Sequence, residues 1–217
     1  MEDKMLKKAI FDMDGLIFDT ERLFMKELSA AMAQEGYTLT EDIYTQTIGL
    51  ASDEVNKKMC GIYGNDYPFE KMSARARSQM EKNALGGLPV KDGIRELLGT
   101  LRAKGIECCV ASSTEAEFVK KYINAAGLGE YFGEIIGGDM APRSKPAPDI
   151  FIKALGSTPP NEAVVFEDSE NGVRAGISAG IPVICIPDMK RPPEEVLSKV
   201  YACVNSAYDA VPLMEEM

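Results

Sequence analysis

Histidine is missing from all 217 residues. Its absence excludes serine triads built on histidine, histidine zinc sites and phosphohistidine chemistry. Acid–base work near neutral pH must then fall to carboxylates, lysine, cysteine or tyrosine. Cysteine is sparse and odd in number. Cys60, Cys108, Cys109, Cys185 and Cys203 lack the paired spacing of a zinc site, and are expected to be reduced and mostly packed in a cytoplasmic protein. Long apolar runs are also lacking. The one in the opening stretch MEDKMLKKAIFD is too short for a signal-peptide core, and no later segment approaches a membrane span. Positive charge is outweighed, because 24 Lys and Arg against 34 Asp and Glu leave a formal net charge of -10. That balance repels nucleic-acid backbones and anionic membranes, yet it permits a small anion at a locally positive site. There is no internal repeat and no low-complexity tract.

What is present is a regular alternation. After residue 88, DGIRELLGTLRAKG reads as an amphipathic helix closed by Gly105, and IECCVA as a buried strand that turns Cys108 and Cys109 to opposite faces. TEAEFVKKYINAAG is the next helix, closed by Gly127, and EIIGG the next strand. APDIFIKALG (helix), AVVF (strand), NGVRAGISAG (helix) and PVICI (strand) follow. Short apolar strands alternating with glycine-ended helices predict an α/β fold, a three-layer Rossmann-like parallel sheet. The first strand, KKAIFD, joins the same sheet but is separated from IECCVA by a long interval without a convincing strand. There TERLFMKELSAAMAQEG, with Thr20 as N-cap and Gly36 as terminator, SDEVNKKMCGIYG and PFEKMSARARSQMEKNALGG read as helices. The expected division is a core of residues 1–19 and 87–217 and an inserted α-helical cap of residues 20–86.

Open parallel sheets bind ligands beyond the carboxyl ends of their strands. Strand one delivers Asp12 and Asp14 there, IECCVA delivers Ser112, Ser113 and Thr114, and AVVF delivers Glu167 and Asp168, while Lys145 lies in RSKPAPDIF. Taken singly, each has a plain structural use as turn former, helix cap, dipole partner or solvated lysine. Together they are harder to explain so. Three or four carboxylates on one sheet edge repel unless a cation offsets them. Oxygen ligands without histidine suit magnesium. Hydroxyls and free N–H groups before a helix suit a phosphate. A lysine restrained by Pro146 and Pro148 supplies fixed positive charge.

FDMDGLIFDT, VASST, SKPAPDIF and FEDSENGVRAG, in that order and spanning the whole chain, resemble the four motifs of the haloacid dehalogenase superfamily. The helical insert after strand one is similar to that of the branch holding β-phosphoglucomutase and sugar-phosphate or nucleotide-type phosphatases. The resemblance implies a phosphatase acting through an aspartyl-phosphate. In it Asp12 is the nucleophile and Asp14 the acid that protonates the leaving alkoxide, then the base that activates water. Gly15 lets the backbone pass close to the phosphate. It further implies Mg2+ held by Asp12, the Asp14 carbonyl and Asp168 with Glu167 adjacent, and phosphoryl oxygens held by Ser112, Ser113 and Lys145. Asp14 argues against dehalogenation, since a halide leaving group needs no proton.

Within the insert, mutases of this branch carry a histidine where this chain has Phe24. They carry a loop arginine where it has Ser52. Both departures argue against a sugar phosphomutase, the runner-up reading. A non-enzymatic regulator, the third reading, gains nothing from a charge-strained site. Arg75 and Arg77 suit either a substrate's distal anion or a solvated helix face. The expected partner is a small phosphorylated metabolite, with neither nucleic acid nor membrane, and the chain itself is expected to be a monomer or weak dimer.

Overall fold

A computed structural model of the chain describes residues 5–84 and 86–216. Residues 1–4 and 217 of the expected core and residue 85 of the expected cap lie outside them. Contacts divide the chain into two compact units, residues 1–19 with 89–217, and residues 20–88.

The order of elements follows the alternation read from the sequence. Strand β1 (Lys8–Phe11) comes first. The helices of the insert follow: α1 (Thr20–Ala33), α2 (Glu41–Thr45), α3 (Ser52–Tyr63) and α4 (Phe69–Ala84). Then come α5 (Ile94–Ala103), β2 (Glu107–Ala111), α6 (Ala116–Ala125), β3 (Phe132–Ile136), α7 (Asp149–Leu155), β4 (Ala163–Glu167), α8 (Glu170–Ser178) and β5 (Val183–Cys185). The chain ends in α9 (Glu194–Leu197), β6 (Ala202–Cys203), α10 (Ala207–Ala210) and α11 (Leu213–Glu216). Helix α2 and everything after β5 were not foreseen. Elements of two to five residues are too short to carry a period of 2 or 3.6.

The strands form one parallel six-stranded sheet in the order β3-β2-β1-β4-β5-β6, a Rossmann-like α/β core. Strand β1 is buried along its whole length, as a central strand covered on both faces must be. Helices α7 and α8 pack on the face that carries Ile10, Cys109 and Val165. The other face carries Phe11, stacked on Phe166 at 4.6 Å and edge-on to Phe132 at 5.8 Å. Helix α5 buries Ile94, Leu97, Leu98 and Leu101, the i, i+3, i+4, i+7 stripe that the sequence shows. A charged side chain also lies inside: Lys8 of β1 is buried and donates to the Ala154 carbonyl at 3.0 Å. Cys108, Cys109 and Cys185 are buried, and all five cysteines are free thiols. Burial pushes the Cys108 and Cys109 thiols up to about 12, so neither is a ready nucleophile.

Register fixes what meets at the sheet's carboxyl edge. Phe11 is level with both Val110 and Phe166, so the next residues, Asp12, Ala111 and Glu167, emerge side by side. The order of strands reverses at β1, with β2 and β3 on one side and β4 and β5 on the other. That is the switch point at which such sheets open a crevice. The core segments at the root of the insertion pair with each other: Asp19 N–H donates to the Pro89 carbonyl at 3.0 Å and Lys91 N–H to the Ile17 carbonyl at 2.9 Å.

The inserted unit has its own small core, in which Leu28 and Met32 of α1 and Met72 and Ala76 of α4 are buried. Tyr37, Tyr63 and Tyr67 cluster with ring centroids 5.1 to 5.6 Å apart. A cavity of about 240 Å³ within this unit is lined by Phe24, Tyr44, Met59, Phe69, Ser73 and Arg77 among others. No helix of the described residues is long and apolar enough to cross a membrane.

Candidate active site

Asp12 leaves β1 already buried, and its carboxylate meets the ammonium of Lys145. Lys145 Nζ donates to Asp12 Oδ1 at 2.5 Å, to Glu167 Oε1 at 2.7 Å and to the Ala111 carbonyl at 3.1 Å. All three donor hydrogens of the ammonium are thus used. The Phe151 ring lies 4.8 Å from Nζ, adding a cation–π contact to its confinement. Burial by itself would lower the pKa of Lys145, but the charges of Asp12 and Glu167 outweigh it and the net shift is upward. This lysine stays charged.

Glu167 is wholly buried, and its second oxygen, Oε2, accepts from Asp168 N–H (2.9 Å), Ser169 N–H (3.0 Å) and the Ser169 hydroxyl (3.0 Å). Ser169 in turn caps α8 by accepting from Gly172 N–H at 3.2 Å. Glycine is required at 172, since a Cβ there would run into the Glu167 carboxylate. Asp168, the next residue, is buried too. Gly15, at φ +81°, brings the backbone so close that a Cβ would strike Asp168 Oδ2.

Asp12, Glu167 and Asp168 each offer a carboxylate oxygen, all within 4.8 Å of one another. One lysine faces three carboxylates, and the imbalance shows in their proton affinity. Burial, less the attraction of Lys145 and with the repulsion of Glu167 and Asp14 added, pushes Asp12 up to about 8. Burial and the charges of Glu167 and Asp12 hold Asp168 well above the ordinary carboxylate range. A buried all-oxygen set short of positive charge fits a small hard divalent cation better than softer zinc or copper.

Asp14 has different neighbours. Its Oδ2 accepts from the Ser112 hydroxyl at 3.2 Å and the Thr114 hydroxyl at 2.9 Å. Ser112 is fully buried at the end of β2, and its Oγ also accepts from Thr114 N–H at 3.0 Å. Ser113 is exposed.

Asp12, Asp14, Ser112, Lys145, Glu167 and Asp168 therefore converge on one sheet edge. Arg75 and Arg77 belong to α4 of the inserted unit. Arg75 is exposed and shares Glu35 with Lys71, at 2.9 and 2.7 Å, so its charge is already answered there. Arg77 is exposed at the wall of the α1–α4 cavity.

Three contributors were missed in the sequence. Thr114 was seen only as a hydroxyl before a helix. Phe151 passed unremarked within the helix APDIFIKALG. Lys91 was not singled out, yet its Nζ donates to the Gly15 carbonyl and to Asp188 Oδ1, both at 2.7 Å, tying the loop behind Asp14 to the segment after β5. Only the fold brings residues 91 and 188 together; no local signal announces them.

The profile of the haloacid dehalogenase-like hydrolases matches residues 9–186. A "Probable pseudouridine-5'-phosphatase" of Drosophila melanogaster is 33% identical over 202 residues, covering 87% of this chain and 86% of its own. A phosphorylated carbohydrates phosphatase of Thermotoga maritima is 27% identical, covering 97% of this chain and 91% of its own. Among solved structures, CbbY from Rhodobacter sphaeroides in complex with phosphate superposes with a TM-score of 0.74 at 25% identity, over 95% of this chain and 96% of that one.

Proposed function

The chain belongs to the haloacid dehalogenase-like hydrolase family, and from that premise we propose that it is a magnesium-dependent phosphatase of small phosphomonoesters that works through an aspartyl-phosphate on Asp12. It is a phosphoric monoester hydrolase like its named relatives, and their names favour sugar phosphates or nucleotide-like esters as substrates. The observation that carries the mechanism is the contrast between two carboxylates two residues apart in the chain. Asp12 sits among ions, with Lys145 and two acids, while Asp14 Oδ2 accepts from two hydroxyls.

Asp12 attacks phosphorus with the oxygen that Lys145 does not hold, and the bond from phosphorus to the leaving alkoxide breaks. Lys145 and the Ser112 hydroxyl take the phosphoryl oxygens, holding the group for in-line attack. Asp14 gives its proton to the alkoxide. It then removes a proton from the water that attacks the aspartyl-phosphate, which releases inorganic phosphate and restores Asp12. Asp12, Asp168, the Asp14 carbonyl and the adjacent Glu167 would hold Mg2+, which when bound supplies the positive charge that offsets the phosphoryl oxygens. Ser113 stands beside Ser112 as a further phosphate contact, and the inserted helices act as a cap, with Arg75 and Arg77 as its candidate anion contacts. The free cysteines support a reducing, cytoplasmic setting, and the chain is proposed as a monomer or weak dimer.

The test is a panel of phosphorylated metabolites scored for released phosphate with and without magnesium. Release from several sugar or nucleotide monoesters, abolished in Asp12→Asn, supports the reading. Turnover that persists in that variant rejects it.

A further inference from the structure

The ordinary use of a threonine just before a helix is to cap it. Thr114 does not do so. Helix α6 has Glu115 at its cap position with no side-chain cap bond, and the Ala116 N–H is taken by Asp139 Oδ1 at 2.8 Å. The Thr114 hydroxyl points the other way, to Asp14 Oδ2. Its backbone is fixed at both ends, the N–H on Ser112 Oγ at 3.0 Å and the carbonyl accepting from Gly138 N–H at 2.9 Å. Being β-branched, the side chain also has few rotamers to choose from.

Ser112 shares the hold on Asp14 Oδ2, at 3.2 Å. A serine hydroxyl has a single proton to donate. When Ser112 turns that proton to a phosphoryl oxygen, it can no longer donate to Asp14. The Thr114 hydroxyl, already donating to Asp14 Oδ2 at 2.9 Å, can keep its bond when Ser112 turns away.

We propose that Thr114 is a positioning residue for the general acid and base. It holds the Asp14 carboxyl through Oδ2 and so fixes the direction in which the carboxyl passes a proton, first to the leaving alkoxide and later back from water. In the first step the Asp12–phosphorus bond forms, the phosphorus–alkoxide bond breaks and the proton moves from Asp14 to the alkoxide. In the second, water oxygen bonds to phosphorus, the Asp12–phosphorus bond breaks and the proton returns to Asp14. Thr114 exchanges no proton in either. This role rests on the phosphatase reading above, and in particular on Asp14 as the acid.

Leaving-group dependence separates positioning of an acid from mere structural support. An alkoxide needs a proton as it departs, whereas 4-nitrophenolate leaves without one. The experiment compares kcat/KM, which reports steps through phosphoryl transfer to Asp12, for an alkyl monoester and for 4-nitrophenyl phosphate. Thr114→Val should lower the alkyl value about tenfold to a hundredfold and leave the aryl value within about twofold. Thr114→Ser, which keeps the hydroxyl, should restore the alkyl rate. Asp14→Asn should show the same selectivity more strongly. If Thr114→Val unfolds, Thr114→Ala is read in its place, each variant being matched to wild type by thermal midpoint. Equal loss on both esters, or no loss on either, in a folded variant overturns the role of Thr114 while leaving that of Asp14 standing. An Asp14→Asn variant without leaving-group selectivity instead overturns the assignment of Asp14 and takes this proposal with it.

Discussion

Two pockets lie side by side at the end of β1, and they handle charge in opposite ways. Around Asp12, three buried carboxylates face one ammonium, so the group is held against its own ionisation. Around Asp14, the partners on Oδ2 are neutral hydroxyls, which orient a carboxyl without adding a charge. A nucleophile needs an anion beside an electrophile whose charge is offset. An acid that must also serve as a base needs a fixed direction and a proton that can come and go. The comparison teaches that a spacing of two residues is enough to give identical side chains distinct surroundings, provided that neighbouring strands supply different partners.

The sharpest way to break the contrast is to remove the anion on one side. Asp12→Asn should lower kcat by at least about 10⁴-fold while leaving the fold intact, because the amide keeps the shape and loses the attacking charge. Its unfolding midpoint without metal should equal or exceed that of wild type, since a carboxylate held against ionisation has gone. Steady-state kinetics and a thermal melt read both.

Metal removal comes next. Chelation should abolish turnover and magnesium should restore it, whereas calcium should inhibit. Calcium takes more ligands at longer distances and would engage both Asp12 oxygens, spoiling the attack. Equal rates with calcium would show a site less demanding than the carboxylate geometry implies.

Lys145→Met tests the ionic pocket as structure. It leaves Asp12 and Glu167 buried without their cation, and the loss in unfolding free energy should be about 3–5 kcal/mol at neutral pH. Denaturant unfolding measures it. Protonating the stranded acids by lowering the pH should recover part of the loss.

The pH dependence of the metal-free protein is a gentler probe. The Asp12 carboxyl has a folded pKa pushed up to about 8 from an ordinary 3.8. A raised folded value means that its contribution is fully present below the unfolded pKa and is lost as pH rises through 8. Asp168 shifts in the same direction. The thermal midpoint without metal should therefore fall from about pH 4 to about pH 8 and level off above it, and saturating magnesium should flatten the slope. A metal-free midpoint that rises over this range contradicts the charge imbalance.

The smallest effect concerns Phe24, which lines the cavity of the inserted unit with its ring centroid 6.4 Å from that of Tyr44. Phenylalanine has no donor or acceptor with which to restrain an acid–base aspartate until a second sugar hydroxyl arrives. With β-glucose 1-phosphate the expected product is inorganic phosphate or nothing, with little glucose 6-phosphate. Efficient conversion primed by the 1,6-bisphosphate would make the chain a mutase.

How much of this was legible follows from distance along the chain. The β1 run, the glycine-ended helices and the acid pairs at strand ends are local, and register alone brings Asp12, Ala111 and Glu167 level. Lys145 was legible through its proline-flanked segment. The tie from Lys91 to Asp188 spans 97 positions, and the seat of Lys145 over Phe151 depends on how α7 packs. Neither leaves a pattern in the sequence. Thr114 lay in plain view, but which way its hydroxyl turns is decided by Asp139 taking the helix N–H instead.

Asp12 as covalent nucleophile is the claim on which the rest depends, and the stereochemical course at phosphorus tests it most directly. A substrate made chiral at phosphorus by isotopic and sulfur labelling is hydrolysed in labelled water, and the configuration of the product is read. Two successive in-line displacements, one by Asp12 and one by water, predict net retention. Net inversion would mean that water attacks the substrate directly, and Asp12 would then be a metal ligand and no more.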